Sequence, residues 1–310
     1  MHWVLDEEGG NVVMFNRIVV PLDGSDLSER VLPLARYLAK SLRSSVELLT
    51  VVSEESPGPG GAGGEQALLS SLALKASAFE ALGVRASTKT LKGDPADRII
   101  AEADSVPGTL IVMCTHGRSG MQRWVLGSVA DRVAHYAASP LLIVNSLAAT
   151  ATRPEERLGA ALVPLDGSPL AEEALPVARQ LARTLSLPLV LLRSVPFPVI
   201  YAEMEDGIWP ADFYQDVLDA GRNEALTYLS SVATAQKQAG VEKVNTVVTV
   251  GNAAGVIVDT AKSLPDAITI ITSHGRSGLG RWLLGSVADH VIRTSVRPVL
   301  LLRAGRPTPI

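Results

Sequence analysis

The chain is written twice. Residues from Arg17, RIVVPLDGSDLSERVLPLARYLAKSL, align with AALVPLDGSPLAEEALPVARQLARTL from Ala160 at an offset of 143. Farther along the offset becomes 158: Gly93 matches Gly251, Gly117 matches Gly275, and Gly127-Ser128 match Gly285-Ser286. From His116 to Val144, 16 of 29 positions equal their partners. A duplication of this kind requires both halves to fold on one plan, and 310 residues suffice for two domains with a core each. The change of offset places an insertion of 15 residues between the second strand and second helix of the second copy.

Within each copy strand and helix patterns alternate. In the first they run Arg17–Leu22, Asp26–Leu42, Val46–Val52, Glu65–Leu82, Val84–Leu91, Pro95–Asp104, Leu110–Cys114, Ser128–Ala138 and Leu141–Val144. Leu27, Val31, Leu34, Ala35, Leu38 and Leu42 recur at helical spacing, repeated by Leu170, Ala174, Val177, Ala178, Leu181 and Leu185. Ser25 and Ser168 stand where N-caps belong, and Pro33 and Pro176 predict kinks inside those helices. TLIVMC and AITIIT are continuously apolar, as strands covered on both faces are. The pattern predicts two tandem doubly wound α/β domains, Rossmann-like, each with a five-stranded parallel sheet and helices on both faces. The expected boundaries are an N-terminal extension 1–13, a first domain 14–147, a linker 148–158 and a second domain 159–310.

Composition narrows the function classes. The chain is 47% hydrophobic and 19% charged with a net charge of −4, which leaves no basic footprint for nucleic acid and no polybasic handle for a membrane surface. It has one cysteine, Cys114, so no internal disulfide framework and no thiolate metal cluster is expected. No apolar run is long enough to span a bilayer, and MHWVLDEEGGNVVM lacks the features of a signal peptide. The expectation is a cytoplasmic protein.

Ligands of doubly wound sheets bind beyond the carboxyl ends of the strands, where the winding reverses. Two groups of residues fall there: Pro21-Leu22-Asp23-Gly24 with Pro164-Leu165-Asp166-Gly167, and the glycine-bearing loops that follow Cys114 and Thr272. A glycine loop entering a helix N-terminus offers backbone N–H groups and partial positive charge, a combination suited to phosphate. A structural reading competes with this. Ser128-Val-Ala-Asp131 and Ser286-Val-Ala-Asp289 also read as capping boxes, which helices use without any ligand.

VVPLDGS, KGDPADRIIAEA and CTHGRSGMQRWVLGSVADRVAHYAASPLLIV, with their second-half counterparts, resemble the universal stress protein family in its tandem form. In the ATP-binding branch of that family the motif is Gly, two residues, Gly, nine residues, Gly, then Ser or Thr. Gly117, Gly127 and Ser128 match it, as do Gly275, Gly285 and Ser286; the first glycine is replaced by Cys114 and Thr272. The resemblance implies ATP in one or both halves, with Mg²⁺ carried on the phosphates. By it, Asp23 and Asp166, with Pro21-Leu22 and Pro164-Leu165, contact the adenine. Val51 and Ser194 stand beside the base. Met113-Cys114-His116-Gly117 and Ile271-Thr272-His274-Gly275 line the ribose and phosphate path. Gly127-Ser128-Val129 and Gly285-Ser286-Val287 hold the phosphates. A side chain at Cys114 or β-branched Thr272 is expected to crowd the ribose. The implied role is regulatory or protective, with at most slow ATP hydrolysis. The alternative is a nucleotide-free interaction protein of the same fold. In this family the last strand pairs across a two-fold, so PLLIVNS and PVLLLRA are expected to join the halves as a pseudo-dimer, with further dimerisation of whole chains conceivable.

Other residues read as structural. His116 and His274 lack a nucleophile partner, Cys114 ends a buried strand, and Trp124 and Trp282 precede the Gly-Ser pairs as packing or interface residues. The segment EESPGPGGAGGEQ from Glu54 is expected to be mobile. The insertion around 196–216 carries Phe197, Tyr201, Trp209, Phe213 and Tyr214, which either pack on their own domain or form a lid or partner surface. No Walker A lysine motif and no G-x-G-x-x-G follows the first strand. Residues 1–13 lie outside the repeat, and their deletion is expected to leave the fold intact.

Overall fold

The computed structural model describes residues 15–52, 62–115, 126–145, 157–197, 211–273 and 284–303. The first half runs β1 (Arg17–Pro21), α1 (Asp26–Glu29), α2 (Leu32–Leu42), β2 (Ser45–Val52), α3 (Ala62–Glu80), β3 (Ala86–Lys92), α4 (Pro95–Asp104), β4 (Thr109–Cys114), α5 (Ser128–Tyr136) and β5 (Leu141–Val144). The second repeats it as β6 (Ala160–Pro164), α6 (Pro169–Glu172), α7 (Leu175–Thr184), β7 (Leu189–Val195), α8 (Ala211–Gln238), β8 (Val244–Val250), α9 (Ala253–Ser263), β9 (Ala267–Thr272), α10 (Ser286–Thr294) and β10 (Val299–Leu302).

Two local expectations are corrected. Asp26–Leu42 is two helices rather than one kinked helix, because Pro33 has no N–H and its ring collides with the carbonyl four residues back. Glu29 therefore ends α1, and Pro33 sits in the first turn of α2, where its missing donor costs nothing. Pro176 does the same at the start of α7. The glycine-rich segment is also shorter than expected, since α3 begins at Ala62 and takes in Gly63 and Gly64.

The strands form one ten-stranded sheet in the order β3-β2-β1-β4-β5-β10-β9-β6-β7-β8. Pairing is parallel within each half, and the halves meet where β5 and β10 run antiparallel, with Val299 opposite Ile143 and Leu301 opposite Leu141. The two last strands thus join as the family resemblance implied, and each removes the other's open edge. Alternate strand residues feed two apolar layers. Ile18 and Val20 point into one with α2, α3, α7 and α8; Val19 points into the other with α4, α5, α9 and α10. Both layers are continuous across the seam, and β4 and β9 are buried along their whole length.

Side chains reinforce the seam. Arg303 donates from Nε to the Ala137 carbonyl (2.6 Å) and from Nη2 to that of Ala134 (2.5 Å), while its repeat counterpart Asn145 donates to the Ser295 carbonyl (3.1 Å). Arg293 on α10 reaches Asp131 on α5 at 2.5 Å and also Asp289 on its own helix at 2.8 Å.

Candidate functional site

The winding reverses between β1 and β4, and again between β6 and β9. At the first of these points the loop after β1 is tightly built. Leu22 N–H donates to the Leu49 carbonyl (2.8 Å), and Thr50 Oγ1 donates to the Leu22 carbonyl (2.6 Å). Asp23 Oδ1 accepts from the Ser25 N–H (3.0 Å) and hydroxyl (2.6 Å). Gly24 has φ of +79°, a region that side chains disfavour, and Ser25 then caps α1. The second half repeats the turn with Asp166 Oδ1 accepting from Ser168 N–H (2.9 Å), Gly167 at φ of +82° and Ser168 as cap. The repeated Asp-Gly-Ser thus builds a turn as well as lying at the strand end. The packing of α1 against β4, and of α6 against β9, brings that turn toward the other half of the crevice.

The opposite wall is the N-terminus of α5. Gly127 N–H donates to the Thr115 carbonyl (2.8 Å), tying the helix start to the end of β4; Gly285 N–H donates likewise to Ser273 (2.6 Å). The capping-box reading fails here. The N-caps are Gly127 and Gly285, their carbonyls accept from the Asp131 and Asp289 N–H groups, and no side chain caps either helix. Ser128 and Ser286 are the first helical residues and are exposed. Asp131 and Asp289, one residue too far along to cap, spend their carboxylates on Arg293. Elsewhere the fold caps where it can: Asp94 caps α4 and Asn252 caps α9. Gly127 and Gly285 have φ of −59° and −62°, which any residue adopts, so backbone strain does not account for glycine there.

Exposure divides the sequence-derived residues. Leu22, Leu165, Met113, Ile271, Cys114 and Thr272 are buried at the strand ends. Cys114, which is in no disulfide, is 6% exposed in the core layer that also holds Leu22. Pro21, Asp23, Val51, Gly127, Val129, Pro164, Asp166, Ser194, Gly285 and Val287 are half-buried around the crevice mouth. His116, Gly117, His274, Gly275, Trp124 and Trp282 lie outside the described residues, as do residues 1–14, 53–61 and 146–156, Tyr201 and Trp209, and the side chain of Phe213. Phe197 is 60% exposed.

The two crevices are not copies. Ser194 Oγ donates to the Gly251 carbonyl (2.7 Å), a bond Val51 cannot make. Where the first half has Thr50, the second has Arg193, which pairs with Glu224 (2.9 Å) and lies 5.0 Å over the Tyr228 ring. Tyr228 donates to Glu172 (2.6 Å); burial first, then that bond and the charges of Glu172 and Asp166, push its phenol above the ordinary range. In the first half Glu29, the counterpart of Glu172, is paired with Lys75 (3.0 Å) instead. Tyr228, Arg193, Thr115 and Ser273 carry no sequence signal of their own, since each is recruited by an element distant in the chain. Among the described residues no group of three His, Cys, Asp or Glu side chains stands ready for a metal, and no helix is long and apolar enough to cross a membrane.

The universal stress protein family model matches residues 14–145 and again 159–303. A universal stress protein of Methanocaldococcus jannaschii is 39% identical over 143 residues, covering 43% of this chain and 83% of that protein. The crystal structure of a universal stress protein from Archaeoglobus fulgidus superposes over 94% of this chain and 99% of its own with a TM-score of 0.67 at 20% identity, a likeness of fold. A shorter universal stress protein from Archaeoglobus fulgidus, solved in complex with dAMP, aligns with 42% of this chain and 98% of its own at 26% identity and a TM-score of 0.32. With its sequence matched in both halves and its fold matched end to end, the chain belongs to the universal stress protein family, with two such domains in tandem.

Proposed function

We propose that each half binds ATP in the crevice between its first and fourth strands, with the phosphates on the N-terminus of α5 or α10 and the base toward Asp23 or Asp166. The observation that carries this reading is the pair of uncapped helix starts. Both are fastened to a strand end by a glycine N–H, both lack a side-chain acceptor, and both begin with Ser exposed beside glycine. Such a terminus holds orphan N–H donors and partial positive charge, which phosphate satisfies. Mg²⁺ would arrive on the phosphates. Asp23 and Asp166 keep their Oδ1 atoms in the turn and face the base from a fixed position. The role is regulatory or protective, in the cytoplasm, with at most slow hydrolysis, since the chain holds no Walker A lysine motif.

The test uses the purified full chain. Denaturing it and chromatographing the supernatant should release adenine nucleotide, and calorimetric titration with ATP should show binding. Gly127→Val should silence the first site and Gly285→Val the second. Each lost charge-assisted hydrogen bond costs roughly 1.5–3 kcal/mol, about 10- to 150-fold in affinity. The N-cap dihedrals accommodate valine, so each substitution should cost only about 1 kcal/mol of stability. A double variant that melts cooperatively yet binds ATP like the parent overturns the site. A parent that binds no ATP leaves the nucleotide-free interaction protein as the function.

A further inference from the structure

Joining the halves through β5 and β10 consumes the edges by which the repeat pairs with itself, so any association of whole chains needs another surface. Two sheet edges remain among the described strands, β3 and β8. They are equivalent by the repeat but differ in chemistry. β3 reads ASTKTLK; β8 reads VNTVVTV, without charge. Natural edges are commonly guarded by lysine, and an unguarded β-branched edge is a template for another strand. We propose that the outer edge of β8 is the surface on which a second copy of this chain docks, strand against strand and antiparallel.

The register follows from the hydrogen bonds. Leu189 N–H donates to the Lys243 carbonyl and Gly251 N–H to the Val195 carbonyl, so odd-numbered residues of β8 bond inward to β7. By the alternation of strand bonding, Val244, Thr246, Val248 and Val250 point N–H and C=O groups outward. A two-fold at Val247 places Val244 opposite Val250 and Thr246 opposite Val248, so every outward group of these four residues is matched. The charged residues just before the strand, Glu242 and Lys243, then oppose uncharged Asn252 and Gly251.

The same operation on β3 sets Lys89 against its own copy, because Lys89 holds the position of Val247. Like charges directly opposite disfavour a strand pair, so β3, even with Lys89 held by Glu102, is the poorer template for this partner. Pairing β8 with β3 of a neighbour would leave an edge open at each end and grow a chain of molecules, whereas β8 on β8 closes after two.

Sedimentation equilibrium of the full chain at micromolar to tens of micromolar concentration tests the proposal. The parent should reach twice the 32.7 kDa chain mass. Thr246→Lys, on an exposed position, and Thr246→Pro, which removes one outward donor, should each shift the midpoint of dimerisation at least tenfold to higher concentration while melting like the parent. Thr88→Lys on β3 should change nothing. Asn245→Cys combined with Thr249→Cys tests the register, since these residues face each other across the two-fold as non-hydrogen-bonded pairs about 4.5 Å apart, within disulfide reach. Oxidation should trap a covalent dimer, while the parent, whose Cys114 is buried, should not be trapped. A monomeric parent, open-ended polymers, a dimer unmoved by both Thr246 variants, or failure to cross-link overturns the proposal.

Discussion

The two halves solve one packing problem in opposite ways. Between the sheet and α4, the first half gathers four charges, three largely buried and Lys89 at the exposed rim. Arg17 Nη2 donates to Glu102 Oε1 (3.2 Å) and to its carbonyl (2.7 Å), Lys89 Nζ meets Glu102 Oε2 (2.7 Å), and Glu47 lies 3.9 Å from Arg17. At the equivalent positions the second half has Ala160, Val190, Val247 and Thr260, three apolar residues and a hydroxyl that turns back to its own helix at the Val256 carbonyl (2.7 Å). Both versions hold the same strand order. The charge cluster is therefore not what specifies the fold, in keeping with the near-cancellation of Coulomb gain and desolvation cost in buried ion pairs. The first half even leaves Glu47 Oε1 and Arg17 Nε buried without partners.

The comparison is broken most severely by placing one charge where the second half has none. Val190 is 3% exposed with no cation at the equivalents of Arg17 and Lys89, so Val190→Glu should cost about 4 kcal/mol in urea unfolding. Removing one partner from the first half comes next. Arg17→Ala leaves two carboxylates with Lys89 alone and should cost about 2–3 kcal/mol, whereas grafting the whole second-half set, Arg17→Ala with Glu47→Val, Lys89→Val and Glu102→Thr, should be neutral or stabilising. A graft as damaging as Arg17→Ala would show that the cluster is needed after all. At the seam, Arg303→Ala removes two charged hydrogen bonds and should cost about 2 kcal/mol, against about 1 kcal/mol for Asn145→Ala on the other side of the two-fold. Equal losses would mean that the seam is energetically symmetric.

The smallest effect is a pH dependence. Burial raises the Glu47 carboxyl above its ordinary 4.5, with Arg17 opposing and Glu102 adding to the rise. Burial also acts to raise Glu102, but the hydrogen bond and charge of Lys89, with Arg17, prevail and hold it below the ordinary value. For Glu47 the folded state binds its proton more tightly than the unfolded state. Its contribution is therefore present below pH 4.5 and is lost as pH rises through the folded value. Glu47→Gln should then raise the melting temperature at pH 7. That advantage should shrink toward zero near pH 4. A variant destabilised at pH 7 would show that the Arg17 contact outweighs the burial of charge.

Much of this was legible in the residues because it depends on neighbours in the chain. The duplication, the alternation of strands and helices, and the continuously apolar β4 and β9 follow from periodicity and repetition, while the joining of the last strands was implied by the family resemblance. The errors were also local, and each turned on geometry at the scale of one residue. Pro33 reads as a kink or a break depending on whether the chain restarts a helix, and Ser128 reads as a cap until the dihedrals show Gly127 in that place. What spacing along the chain cannot reveal is which face of a helix meets which strand.

Two copies of one α/β plan, each with its glycine loop at the carboxyl end of a buried strand, are written in the residues alone. Side-chain periodicity and turn chemistry act over a few residues, and both copies carry them. The packing of distant elements pairs Arg293 with Asp131, 162 residues away, and gathers Arg17, Glu47, Lys89 and Glu102 into one cluster. The same packing starts α5 and α10 without a side-chain cap and leaves β8 as an uncharged edge. These depend on which elements the sheet order makes neighbours. That order is set by the burial of whole strand and helix faces at once, a sum over the molecule that no single stretch of sequence contains.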